Sequence, residues 1–345
     1  MGSEFVVLVI VVAMALAFDY VNGFHDTANA VATVVSTGVL PPRTAVLLAA
    51  VCNFVGAFLG VGVAKTIGGD IAKAQDITQI VVVAALLGAI TWNLLTWYYA
   101  IPSSSSHALI GGLVGSVWCH EIFRGDAAWP ALKELLTSKG VVLTLKALVL
   151  SPLVGLVGGL LLMVALTWLV LPMAARTVNK AFRTLQLGSA GFMAVAHGSN
   201  DAQKAMGIIT LALAAYASSK GDPPGDMHVQ TWVIVSCATA MALGTAAGGG
   251  RIMKTMGHKI IKLRPINGFA AETAAALVIL AATEMKAPVS TTHVISSSIM
   301  GVGAARRVSA VKWGVAQNML VAWVLTIPVS AALAAVTYAV LRLVF

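Results

Sequence analysis

The chain has 345 residues, 59% of them hydrophobic and only 10% charged, with a mean hydropathy of +0.90. A soluble domain carries about a quarter charged residues, and a water-soluble monomer of this size could not hide so much apolar surface. The formal net charge of +9 comes from Lys and Arg gathered in short loops, which reads as an orientation signal rather than a nucleic-acid surface.

In chain order, apolar stretches run over residues 5–18, 30–40, 44–64, 77–100, 108–119, 141–172, 185–196, 205–217, 231–249, 268–282, 294–304 and 313–344. They are continuously apolar rather than alternating, which excludes a β-barrel. The expectation is an all-α polytopic membrane protein with about 10–12 membrane segments. The most hydrophilic loops are 120–140 and 218–230. Cys52, Cys119 and Cys237 stand singly, too scattered for a disulfide framework or a cysteine metal cluster.

Two polar inserts interrupt the apolar runs. Residues 22–30 read NGFHDTANA and residues 197–205 read HGSNDAQKA, so that Gly23, Asp26 and Ala30 recur 175 positions later as Gly198, Asp201 and Ala205. A second pair, Pro102-Ser-Ser-Ser-Ser-His107 and Pro288-Val-Ser-Thr-Thr-His293, recurs at an offset of 186. A third places Pro152 and Pro328 inside long apolar segments. Three landmarks in one order indicate an internal duplication: a first membrane repeat over 1–172, a cytoplasmic connector over 173–184 and a second repeat over 185–345.

Loop charge gives the relative orientation. Loop 65–76 sets Lys65 and Lys73 against Asp70 and Asp76, whereas 250–266 carries Arg251, Lys254, Lys259, Lys262 and Arg264 with no acid. Loop 120–140 is balanced, while 305–312 holds Arg306, Arg307 and Lys312. Equivalent loops that differ in basic charge belong on opposite sides of the membrane. Inverted repeats with broken or re-entrant helices are therefore expected, with a site at the midplane. Both termini then face away from the cytoplasm, provided each half makes an odd number of net crossings.

Asp19, His25, Asp26, His107, His197, Asp201, Lys204, Glu272 and His293 all fall within or at the ends of apolar stretches. Ionisable groups at bilayer depth are costly and mark ion or substrate paths. For Asp19 and His197 a capping or interfacial role weighs as much as a functional one; for Asp26 and Asp201, repeated in register, function weighs more. Gly23 and Gly198 next to them would permit local unwinding, freeing carbonyls that with Asp and Asn oxygens suit Na⁺. A buried carboxylate could equally take up a proton, since burial disfavours its charged form.

The second pair offers the opposite complement. Proline disfavours helix before it and is favoured in a first turn, so Pro102 and Pro288 mark helix restarts. Ser103–Ser106 and Ser290–Thr292 follow as cap candidates. Helix N-termini with added hydroxyl donors suit a tetrahedral oxyanion. From residues alone, the chain reads as a cation-coupled transporter of a small oxyanion. It lacks the G-x-x-x-x-G-K-[ST] motif of direct ATP use, and Gly248–Gly250 reads as a helix end.

NGFHDTANAVAT at 22–33 and HGSNDAQKAMG at 197–207 resemble the duplicated signature of the inorganic phosphate transporter (PiT) family, in its bacterial form. GFAAETAAAL at 268–277 and APVSTTH at 287–293 are similar to further family landmarks, so the resemblance covers nearly the whole chain. It implies phosphate symport with Na⁺ or H⁺ through inverted repeats in the plasma (inner) membrane, with no cofactor and no enzymatic activity. Some relatives carry a metal–phosphate complex or sulfate. Carried over by position, Asp26 and Asp201 are the paired acids and sites for Na⁺, with Asn29 and Asn200 as amide companions. Ser104, Ser105, Ser106, Ser290, Thr291 and Thr292 match the phosphate-contacting segments, and Glu272 matches an important family glutamate. Asn22, Thr27, His107 and His293 stand as supporting residues. The expected partners are inorganic phosphate, the coupling cation and the lipid bilayer, without nucleic acid; a homodimer is left open.

Lys204 holds the place that Asn29 has in the first half. An ammonium there would serve as a tethered cation beside Asp201, in place of one bound Na⁺; alternatively it leans to the interface unpaired. Glu272 would accept a hydrogen bond from protonated phosphate, which sulfate cannot donate near neutral pH. The competing functions are a passive anion channel and a phosphate-ester hydrolase with His107 or His293 as nucleophile. The second is weakened by the lack of a metal-binding cluster in the sequence.

Overall fold

Backbone groups inside a bilayer find no water, so helices satisfy them along their own length. The computed structural model describes residues 3–69, 77–220, 228–248 and 250–344. Asp70, Lys73 and Asp76 of the loop charge argument, most of the 218–230 loop and Gly249 lie outside the described residues. The described residues form thirteen α-helices and no strand. The first seven are α1 (Ser3–Ser36), α2 (Pro42–Gly56), α3 (Gly62–Gly69), α4 (Gln79–Tyr98), α5 (Ser105–Arg124), α6 (Ala128–Leu136) and α7 (Lys139–Val170). Then come α8 (Ala175–Ser219), α9 (Thr231–Ala247), α10 (Gly250–Lys254), α11 (Pro265–Glu284), α12 (Thr291–Arg306) and α13 (Trp313–Val344).

Among the described residues, α1, α4, α7, α11 and α13 are each long and apolar enough to cross a membrane. Leu153, Val157 and Leu161 on α7 and Val324 on α13 point outward, each at least half exposed. Such an apolar exterior is stable only against lipid. The remaining apolar stretches of the sequence fall on helices that are shorter or that carry the polar inserts. The expected connector is mostly helical: residues 175–184 open the 45-residue α8, where Ala175, Arg176, Lys180, Ala181 and Arg183 favour helix. The prolines of the third landmark do lie inside the long helices α7 and α13.

The helix restarts after Pro102 and Pro288 are built alike. Ala100 and Lys286, at φ 57° and 59°, take the left-handed conformation. Ile101 N–H then donates to Thr96 O at 2.9 Å, and Ala287 N–H to Ala282 O at 2.9 Å, closing both helices with a Schellman turn. Ser104 and Ser290 cap the next helices, each accepting from the backbone N–H three residues on (His107 and His293) at 3.2 Å. The first thirteen residues of both α5 and α12 are buried, so these two helices form the interior rather than the lipid face.

Gly23 and Gly198 do not unwind their helices; α1 and α8 run unbroken through both inserts. A helical glycine costs only about 1 kcal/mol relative to alanine, less than the several kcal/mol of a backbone group left unpaired in lipid. The glycines instead permit close crossings. A Cβ on Gly23 would strike the Met241 carbonyl of α9, and one on Gly198 the Asn53 carbonyl of α2. The same exchange occurs elsewhere. Gly56 of α2 abuts Val195 and Ser199 of α8, while Gly244 of α9 abuts Tyr20 and Phe24 of α1. Gly115 of α5 abuts Ala331 of α13, while Gly301 of α12 abuts Leu156 of α7. In this way α1 and α8 come together at the centre, with α5 and α12 beside them.

Candidate functional site

The two polar inserts meet where α1 packs on α8. Suitable ligand atoms of Asp26, His197 and Asp201 all lie within 4.8 Å of one another. These residues are far apart in the chain, which is why the sequence shows no metal-binding cluster although the fold assembles a group able to hold a cation.

The first acid, Asp26, accepts from His25 Nδ1 at 2.6 Å and from Ser105 Oγ at 3.3 Å, with Thr292 Oγ1 at 3.5 Å. The other imidazole nitrogen of His25 contacts Thr96 Oγ1 at 3.1 Å and Ser103 Oγ at 3.3 Å. The second acid, Asp201, has Lys204 Nζ at 2.6 Å from Oδ1, His197 Nε2 at 3.5 Å and Thr291 Oγ1 at 3.5 Å from Oδ2. The Lys204–Asp201 contact is an ion pair set off the hydrogen-bond direction. Lys204 is wholly buried, so it does not lean to the interface unpaired. Each acid thus has a nitrogen partner, taken from a different place in the repeat.

Asn29 joins the two halves by donating to Thr292 Oγ1 at 2.9 Å and to Thr291 Oγ1 at 3.3 Å. Ser106 Oγ donates to Val289 O at 2.8 Å, tying the start of α5 to the segment ahead of α12. Ser105 and Ser106 open α5 and Thr291 and Thr292 open α12. Their backbone N–H groups have no acceptor within the helix, and Asp26 touches both helix starts. Two N-termini, their hydroxyls and two acids therefore share one buried centre.

Other expected residues lie at its edge. Ser104 and Ser290 are occupied as caps. Thr27 donates to Gly23 O at 2.7 Å and to Thr245 O at 3.1 Å, fixing α1 on α9. Asn200 turns to Thr283 Oγ1 at 2.9 Å and Ala287 O at 3.4 Å, rather than to Asp201. His107 and His293 face each other with ring centroids 4.9 Å apart, and His293 stacks on Trp323 at 3.9 Å. Asn22 is buried without a hydrogen bond.

Glu272 is not brought to the Ser/Thr segments. Its carboxylate accepts from Ser189, from Thr33 at 2.5 Å and from Gln186 at 3.0 Å. It thereby clamps α11 to α1 and α8, with both oxygens engaged. Sequence reasoning passed over Thr96, Asn53 and Thr283, and took Ser103, which contacts His25 and donates to Thr96, only as a cap candidate. Thr96 and Thr283 each lie a few residues before a proline, and each bonds its half's insert, at His25 and Asn200. Asn53, a lone amide in an apolar run, pairs with His197 Nδ1 at 3.1 Å and donates to Thr245 Oγ1 at 2.9 Å.

Residues 22–334 match the family model described as the phosphate transporter family. The chain is 49% identical over 344 residues to a "Probable low-affinity inorganic phosphate transporter" of Bacillus subtilis, covering 99% of this chain and 98% of that one. It is 48% identical to a protein of the same description from Rhizobium meliloti, covering 97% of this chain and 96% of the relative. A solved structure described as "The sodium-dependent phosphate transporter" superposes with a TM-score of 0.80 over 99% of this chain and 100% of its own. At 23% identity it bears on the fold alone. The chain is a multi-pass membrane protein and belongs to the phosphate transporter family.

Proposed function

We propose that the protein imports inorganic phosphate by symport with a cation, Na⁺ or H⁺, through alternating access around the Asp26–Asp201 centre. The observation that carries this reading is the meeting of the repeated acids with the starts of α5 and α12. Helix N-termini and hydroxyls attract an oxyanion, but two nearby carboxylates repel it. The balance turns favourable when a cation or proton neutralises an acid, so anion and cation bind together. Phosphate lies between Ser105, Ser106, Thr291 and Thr292, and the cation sits beside Asp26. Lys204 serves as a tethered cation at Asp201.

Two inverted repeats, 1–172 and 185–345, are supported by the exchanged glycine contacts. Gly115 and Gly301 lie 186 positions apart, and their partners Leu156 and Ala331 lie 175 apart, the same two offsets that relate the sequence landmarks. Such repeats rock about a fixed midplane site. In this orientation the basic loops 250–266 and 305–312 face the cytoplasm and both termini face away from it.

The test is uptake of labelled phosphate into proteoliposomes under separately imposed Na⁺ and pH gradients. Accumulation above the outside concentration, driven by one of the gradients, is expected. Uptake that stops at equal concentrations would point to a channel, and accumulation of labelled sulfate alone would reassign the oxyanion.

A further inference from the structure

Resting on the symport reading, we infer that Asp19 is the proton-carrying group of the transporter, and that Lys204 relays its charge state to the phosphate site. Asp19 lies on α1 about two turns before Asp26 and is 0% exposed. Neither of its carboxylate oxygens has a partner of good hydrogen-bond geometry, nor has either side-chain polar atom of Asn22, the one side chain close enough to act on it as a donor. A lone carboxylate in such surroundings takes a proton rather than stay charged. A metal ion fits poorly there: Na⁺ calls for several oxygen ligands, and the positive charge of Lys204 already acts on Asp19.

Charge links this acid to the centre. Asp19, Asn22 and Asp26 follow one another at i, i+3 and i+7 and so share a face of α1. Helix α1 packs on α8, which carries Asp201 and Lys204, and on α9, which carries Cys237. Across this packing the charges of Asp201 and Lys204 act on Asp19, and that of Asp19 on Cys237. Of the other helices packed on α1, α4 carries no acid, base or cysteine. Arg43 and Cys52 on α2, His107 on α5, Arg251 and Lys254 on α10, Glu272 on α11 and His293 on α12 are not among the groups whose charge acts on Asp19. Lys204 is thus ion-paired with Asp201 and within electrostatic reach of Asp19.

The relay follows from that placement. With Asp19 protonated, the ammonium stays on Asp201 and offsets its repulsion of the anion. When Asp19 releases its proton, the new carboxylate draws Lys204 away, Asp201 is left bare and phosphate is expelled. The proton enters and leaves with the anion, and no bond other than O–H forms or breaks.

The experiment compares purified wild type with Asp19→Asn in proteoliposomes. Accumulation of labelled phosphate under an inward proton gradient is measured against phosphate-for-phosphate exchange without a gradient. The ratio of the two is expected to fall at least tenfold in Asp19→Asn. A purely structural role would lower both together, so an unchanged ratio overturns the inference. Asp19→Glu, which keeps the acid, guards against misfolding of the amide variant; it should retain gradient-driven accumulation with a displaced pH profile, and an unshifted profile also overturns the inference. Wild type that accumulates phosphate under a Na⁺ gradient but ignores a proton gradient refutes the role of Asp19 while leaving symport intact. Wild type that accumulates under neither refutes both.

Discussion

Lys204 holds its ammonium 2.6 Å from Asp201 Oδ1, with both side chains fully buried. In the first half the equivalent position is Asn29, whose amide donates to Thr291 and Thr292 instead. One half of the site thus carries its own positive charge. Lys204→Asn, which restores the first-half residue, is expected to raise the cation:phosphate stoichiometry by one and to introduce a dependence on Na⁺. Flux ratios in proteoliposomes measure this, and an unchanged stoichiometry would count against a tethered cation.

The two acids have different nitrogen partners and different contacts with the helix starts: Asp26 meets Ser105 of α5 and Thr292 of α12, Asp201 only Thr291 of α12. Removing one member of a buried charge pair costs about 3–5 kcal/mol of folding stability, and it also removes the acid that the coupling cation neutralises. Asp26→Asn and Asp201→Asn should each abolish gradient-driven accumulation. The Asp201 variant should be the less stable of the two, because it strands the Lys204 ammonium. Labelled uptake together with thermal unfolding in detergent separates the two effects.

Close helix crossings explain several glycines. Gly115→Ala and Gly301→Ala would press a methyl group into the Ala331 and Leu156 carbonyls and should each destabilise the fold by about 1–3 kcal/mol. Gly314 on α13 has nothing within 4 Å of an added Cβ, so Gly314→Ala should be neutral or stabilising. Melting temperatures of the three variants in one detergent test the contrast.

Ala100 and Lys286 hold the left-handed conformation that glycine adopts without a Cβ penalty. The conformation costs an L-residue about 1–2 kcal/mol. Ala100→Gly should therefore raise the melting temperature, because that relief exceeds the roughly 0.4–1 kcal/mol that glycine's entropy adds to the unfolded chain. Lys286→Gly also removes the stem that lies against Gly62 and should gain less. Equal or reversed effects would show that the turn is not the strained element.

Helical class and the restarts after Pro102 and Pro288 were legible because they depend on local physics: continuous apolarity, the missing proline N–H and the capping serines. The pairing of Asp26 with Asp201 was legible only because the inserts repeat. What stayed hidden needed three dimensions. Gly23 and Gly198 looked like points of unwinding, yet their reason lies in α9 and α2, far along the chain. Glu272 looked like a substrate acceptor, but Thr33, Gln186 and Ser189 converge on it from two other helices. His197 looked as much like a cap as a functional group until the fold set it beside both acids. Asn200, expected beside Asp201, is turned by Thr283 toward the end of α11, a relation that spacing alone does not show.

A structure of the protein with bound phosphate tests the site most directly. Tetrahedral density is expected within hydrogen-bond reach of the backbone N–H groups of Ser105, Ser106, Thr291 and Thr292, next to Asp26. Density elsewhere, with the starts of α5 and α12 still closed on each other through Ser106 and Val289, would contradict the assignment of this centre as the phosphate site.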